Sequence, residues 1–176
     1  VGDCILNAYR LSDGDIPVWH CGQLFAWPAD RYPTPAEHRM MTYMTVQSGA
    51  KGFLWYTFKW GQGSLPDDEP VLWQEHKRIM AELKELEPVI VYPGLGERLG
   101  TGNYFLRATA KRGPGGETYV FAVNTSKTET LTSKIQLPTT FTGEIEVWKE
   151  NRKVRVEDGL LVDQFEPLGV HVYRFR

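Results

Sequence analysis

The chain has 176 residues, 41% of them hydrophobic and 24% charged, and a formal net charge of -2. That apolar content suffices for an ordinary buried core and excludes disorder, while Lys and Arg are scattered instead of gathered into a stripe, so no nucleic-acid partner is expected. No apolar run approaches the roughly 20 residues of a bilayer-crossing helix and no basic stretch followed by an apolar core opens the chain, so the expectation is a soluble protein with no membrane partner and no visible signal peptide. Cys4 and Cys21 match neither a zinc knuckle nor a Cys-rich scaffold, and read as one disulfide or as two buried thiols.

The first apolar run, residues 16–25, reads as a strand covered on both faces, because its hydrophobic residues nearly run together. Tyr9 and Arg10, ahead of it, are compatible with an upstream loop but are not placed by the sequence. A helix then starts at Thr34, whose hydroxyl can cap it, with Pro35 in the first turn and Glu37 three residues on to complete a reciprocal capping box. Met40, Met41, Met44 and Tyr43 form the expected core-facing stripe, and Gly49 the left-handed exit. Residues 52–58 form a second interior strand. After a loop containing Trp60, Gly61 and Gly63, a second helix begins near Pro70. It turns Leu72, His76, Ile79, Met80, Leu83 and Leu86 inward and Lys77, Glu82 and Glu85 toward water, and Pro88 ends it.

Strand, helix, strand, helix is the repeating unit of a parallel sheet, and two units cannot close an eight-stranded barrel. Residues 1–88 are therefore expected to be the terminal βαβα portion of a TIM-like barrel, or half of an α/β layer completed by another chain. From residue 89 the hydrophobic period changes to 2. Tyr104, Leu106, Ala108 and Ala110 alternate with Phe105, Arg107, Thr109 and Lys111, and further short strands follow with turns at 113–116, 150–151 and 158–159. Residues 89–176 are expected to be an antiparallel sandwich of two sheets, making the fold α/β plus all-β.

In a barrel enzyme the chemistry lies where strands end and their loops begin. Those positions hold Gln23, Phe25 and Trp27 on the first strand and Tyr56, Phe58 and Trp60 on the second, with Trp27, Trp55 and Trp60 as the candidate carbohydrate platform. Aromatic rings can cover the apolar faces of a sugar and leave its hydroxyl edges free for hydrogen bonds; the same residues also serve to plug barrel ends and domain seams. Gln23 suits a sugar hydroxyl, a neighbouring carboxylate, or a plain structural role under a loop. His20 and His38 read as packed side chains. Glycosidic hydrolysis ordinarily uses two carboxyl groups, and no pair stands out: Glu37 fits the capping box, Glu75, Glu82, Glu85 and Glu87 a wet helix face, and Asp67, Asp68 and Glu69 a loop, while Asp13 and Asp15 precede the first strand. No catalytic residue, metal ligand or cofactor is assigned. Asn124-Thr125-Ser126 matches the minimal glycosylation pattern.

The stretches 17–25, 32–37 and 49–56 resemble the seventh strand, seventh helix and eighth strand of barrel-type glycoside hydrolases that carry a C-terminal β-sandwich; residues 73–86 resemble the eighth helix and residues 161–175 the closing sandwich hairpin. The resemblance implies hydrolysis of O-glycosidic bonds by a complete enzyme, with an oligosaccharide or glycoside as ligand and an acid from a fourth strand that this sequence lacks. Where a seventh-strand acid is expected the sequence has Gln23. It follows that this chain is a fragment of such an enzyme, inactive alone and partnered by the missing N-terminal barrel or a separate chain; the alternative is a noncatalytic carbohydrate-binding or docking module.

Overall fold

A computed structural model describes residues 1–12, 16–26, 31–60 and 63–176, without the side chain of Trp60. The elements are α1 (Gly2–Leu11), β1 (Trp19–Gln23), α2 (Pro35–Gln47), β2 (Gly52–Tyr56), β3 (Lys59–Trp60), β4 (Gly63–Ser64), α3 (Leu65–Asp68) and α4 (Pro70–Val91), then β5 (Glu97–Arg98), β6 (Leu106–Arg112), β7 (Thr118–Asn124), β8 (Leu131–Gln136), β9 (Gly143–Val147), β10 (Arg152–Glu157), β11 (Leu160–Phe165) and β12 (Val170–Phe175).

β1 and β2 pair in parallel, with Trp19 opposite Gly52 and Gln23 opposite Tyr56, and α2 is the crossover between them. Each strand sets an indole across its partner's glycine. A Cβ on Gly52 would come within 2.3 Å of the Trp19 ring, and one on Gly22 within 3.1 Å of the Trp55 ring on the opposite face. Only one face of this pair is covered. Phe53 and Trp55 pack toward the helices, whereas Trp19, Leu54 and Tyr56 are 61%, 56% and 47% exposed. The expectation of strands buried on both sides is corrected: the apolar runs are there, but among the described residues nothing covers the second face.

The first helical expectation holds in detail. The Thr34 hydroxyl accepts from the Glu37 amide at 3.2 Å, and the Glu37 carboxylate accepts from the Thr34 amide at 2.9 Å. The buried residues of α2, however, are His38, Thr42, Tyr43, Thr45, Val46 and Gln47, with the methionines only partly buried. α2 touches α1, α4, β1, β6 and β7, so a helix enclosed on several sides cannot be read from one stripe. The residues before the first strand, which the sequence alone does not place, form α1, anchored by buried Tyr9, whose hydroxyl donates to the Gly49 carbonyl at 2.8 Å. α4 runs through Pro88 to Val91; losing one N–H donor is outweighed because Val89 and Ile90 are buried in the core with Tyr119, Phe121 and Val123. Cys4 and Cys21 are free and exposed, neither bonded nor buried.

The chain is mostly β. Its last strands form one eight-stranded antiparallel sheet in the order β5-β6-β7-β12-β9-β10-β11-β8, where two separate sheets are expected. The sheet curls until β6 approaches β8, enclosing Leu106, Ala108, Val120, Ile135, Ile145, Val147, Val156, Leu161, Phe165 and Tyr173. Curling lets continuous hydrogen bonding replace the edge between two sheets. α2 and α4 lie on the outer face of β6, β7 and β12, so β7 is buried on both sides. β11 and β12 do not form a closing hairpin: β11 pairs with β8 and β10, and β12 with β7 and β9. Buried Asn124 holds the connection between them by donating to the carbonyls of Glu129 at 2.8 Å and Glu166 at 2.9 Å. Its amide is thereby occupied in the interior, so the minimal glycosylation pattern there has no accessible acceptor.

Candidate functional site

Because β1 and β2 are parallel and in register, their C-terminal ends bring Gln23 and Tyr56 side by side. The Leu24 amide donates to the Tyr56 carbonyl at 2.6 Å, which extends the pairing one residue further. Gln23 folds back over its own strand end, Nε2 donating to the Phe25 carbonyl at 2.8 Å. The Phe25 and Tyr56 rings meet edge to face at 5.2 Å, and Phe58 stands edge-on to Trp73 of α4 at 5.6 Å. The result is a half-exposed aromatic rim at one end of the open strand face, with an amide beside it. Trp27 lies outside the described residues, and so does the side chain of Trp60.

Trp55 faces the other way. Strand alternation turns it into the helix layer, where it stacks on Phe53 at 5.7 Å and meets His38 and His76 edge-on. There His38 Nε2 lies 3.2 Å from His76 Nδ1, with Trp73 stacked on His76 at 5.5 Å. Burial and the neighbouring His76 push the His38 imidazole down to about 4, and burial lowers His76 as well. His20 is likewise lowered by partial burial.

The helix layer also holds a charged cluster that the expected wet face of α4 misses. Glu82 is only 5% exposed, and Arg39 grips it with two nitrogens at 2.8 and 3.3 Å and reaches Glu75 at 3.2 Å. Tyr43 donates to the same Glu82 carboxylate, and burial together with that carboxylate raises the phenol far above its ordinary range. The signal was present in the helical phase: Glu82 stands three residues after Ile79 and four before Leu86, both buried. Every charge here is paired, which suits a clamp between α2 and α4 and not a proton donor facing substrate. A second network ties β10, β11 and β12 together. Arg152 grips Asp163 at 2.8 and 3.0 Å, Tyr173 donates to Asp163 at 2.9 Å, and His171 Nδ1 lies 2.5 Å from Glu150. Burial works against the Asp163 charge, but its hydrogen bonds from Arg152, Gln164 and Tyr173 hold it below its ordinary value. Among the described residues no group of three or more His, Cys, Asp or Glu is placed to hold a metal, and no helix is long and apolar enough to cross a membrane.

With this geometry in view, the α-amylase of Geobacillus thermoleovorans, solved with acarbose, superposes with a TM-score of 0.68 at 14% identity, over 97% of this chain and 42% of that one. This chain resembles part of an α-amylase-type glycoside hydrolase. An Anoxybacillus α-amylase gives 0.65 at 14% identity, covering 96% of this chain and 41% of its own. A putative α-N-acetylgalactosaminidase from Bacillus halodurans gives 0.61 at 14% identity, covering 97% and 41%. The chain thus spans about two fifths of the length of these solved structures, and at such identities the likeness is one of fold. No protein-family model and no curated protein matches the sequence.

Proposed function

We propose that this chain is the C-terminal part of a carbohydrate-active enzyme that hydrolyses O-glycosidic bonds, comprising the last βαβα portion of a (β/α)8 barrel (residues 1–88) and a curled antiparallel sheet as C-terminal domain (residues 89–176). The observation that carries the reading is the open apolar face of β1 and β2, which ends in the rim formed by Gln23, Phe25 and Tyr56, in a chain whose fold is similar to part of larger glycoside hydrolases. Residues of the earlier strands cover that face, and the catalytic carboxylates stand on them. Gln23 meets a sugar hydroxyl; Tyr56, with Trp27 and Trp60, lies against the sugar ring, and Trp55 supports the rim from behind. The curled sheet braces the barrel through α2 and α4.

Two measurements on native protein captured with an antibody against this chain test the proposal. Its intact mass is expected to exceed twice the 20.1 kDa of this segment, and the captured protein is expected to hydrolyse a glycoside, with maltooligosaccharides as the first probe. In the full-length protein Tyr56→Ala is expected to lower kcat/KM about 10-fold or more, a loss of 1.4 kcal/mol or above in transition-state stabilisation. A native 20.1 kDa species without turnover overturns the reading, and a fully active Tyr56→Ala enzyme removes the rim from it.

A further inference from the structure

Lys111 of β6 is 3% exposed and its side chain runs under Gly96, where an added Cβ would stand 2.8 Å from the lysine Cγ. Its Nζ donates to the Ile90 carbonyl near the end of α4, at 3.1 Å. Lys51 donates to that same carbonyl at 3.1 Å, and also to the carbonyls of Tyr92 at 2.5 Å and Gly94 at 2.9 Å. Three acceptors match the three protons of an ammonium, so hydrogen-bond count makes Lys51 the charged member of the pair. Lys111 has one shared acceptor, a positive neighbour, and among the described residues no carboxylate hydrogen-bonded to it. Burial and Lys51 both act to lower its affinity for a proton, to about 7. Beside it is a cavity of about 380 Å³, lined also by Tyr92, Glu97, Arg112, Thr118 and Pro138. Glu97 and Arg112 are its other charged walls, and both are exposed to solvent.

We propose that Lys111, at the wall of this cavity, is a covalent capture site for small aldehydes. The nitrogen lone pair attacks the carbonyl carbon and a C–N bond forms. The two amine hydrogens leave with the carbonyl oxygen as water, and an imine remains; no oxidant or cofactor enters. The site is remote from the rim at Tyr56, and it stands whether or not the chain belongs to a hydrolase.

Reductive methylation tests this on the folded protein, with limiting formaldehyde and dimethylamine-borane between pH 7 and 9 and each lysine followed by peptide mass spectrometry. Lys111 is expected to be methylated ahead of exposed Lys84 and Lys134 at pH 7, at a rate that levels off near pH 8. A lysine of ordinary basicity, about 10.4, would instead keep climbing about tenfold per pH unit over this range. Lys51→Met, which removes the adjacent charge, is expected to slow Lys111 at pH 7 and move its plateau to higher pH. Lys111 left unmodified at every pH, or following the profile of Lys134, overturns the proposal.

Discussion

His38 and His76 show how a residue's chemistry is set by what closes over it. Each is an ordinary imidazole in sequence; between α2 and α4 they meet at 3.2 Å with Trp55 and Trp73 packed around them. A folded-state pKa near 4 for His38 means that the unfolded chain binds the proton more readily. The neutral pair's full stability is therefore present above the unfolded value near 6.5, and is lost as pH falls toward 4. Urea unfolding followed from pH 7 to pH 4 is expected to show a drop on the order of 2–3 kcal/mol from this group. His38→Gln should flatten that part of the profile, and identical pH slopes for the two proteins would remove the assignment. Glu82 and Asn124 make the same point. Glu82 was expected in water and Asn124 matched only a minimal sequence pattern, and both are buried because partners distant in sequence satisfy them.

At the level of elements, local chemistry and enclosure contribute separately. The capping box at Thr34 is a local device, legible because a hydroxyl, a proline and a glutamate fall at fixed spacing. Thr34→Ala is expected to cost about 1 kcal/mol in a denaturation midpoint, with the thermal transition still cooperative. Glu37 does more than cap, since Arg31 and Lys127 also reach it, and Arg31 with the Thr34 amide holds its carboxyl well below the usual range. α4 obeys a different balance. Pro88 is a legitimate stop signal, yet burial of Val89 and Ile90 against β7 carries the helix past it. α1 had no cap or Pro to announce it, and its Thr34-type cap bond is absent at Val1; packing of Ile5 and Tyr9 beside Ala50 defines it instead.

For the whole molecule, the open face of β1 and β2 is the dominant fact. Trp19, Leu54 and Tyr56 present large apolar side chains on one side, and a patch of this kind seeks cover. The 176-residue chain by itself is expected to self-associate at micromolar concentration in light scattering and to bind a hydrophobic dye. Trp19→Ser combined with Leu54→Ser should reduce both, without altering the curled sheet that folds around its own core. A monodisperse monomer that ignores the dye would show that this face is content in water.

Sequence by itself determined the things that depend on neighbours along the chain: the cap at Thr34, the change of period after residue 89, the parallel βαβ order, and the resemblance that those together carry. Only tertiary structure decided the joining of eight strands into one sheet, the separation of β11 from β12, the turning of Trp55 into the helix layer while Tyr56 faces out, and the pairing of Lys51 with Lys111. The reason is physical. Caps and periodicity act within a turn or a pleat, whereas strand partners, burial of charge and proton affinity are fixed by groups tens of residues away that meet only when the core closes.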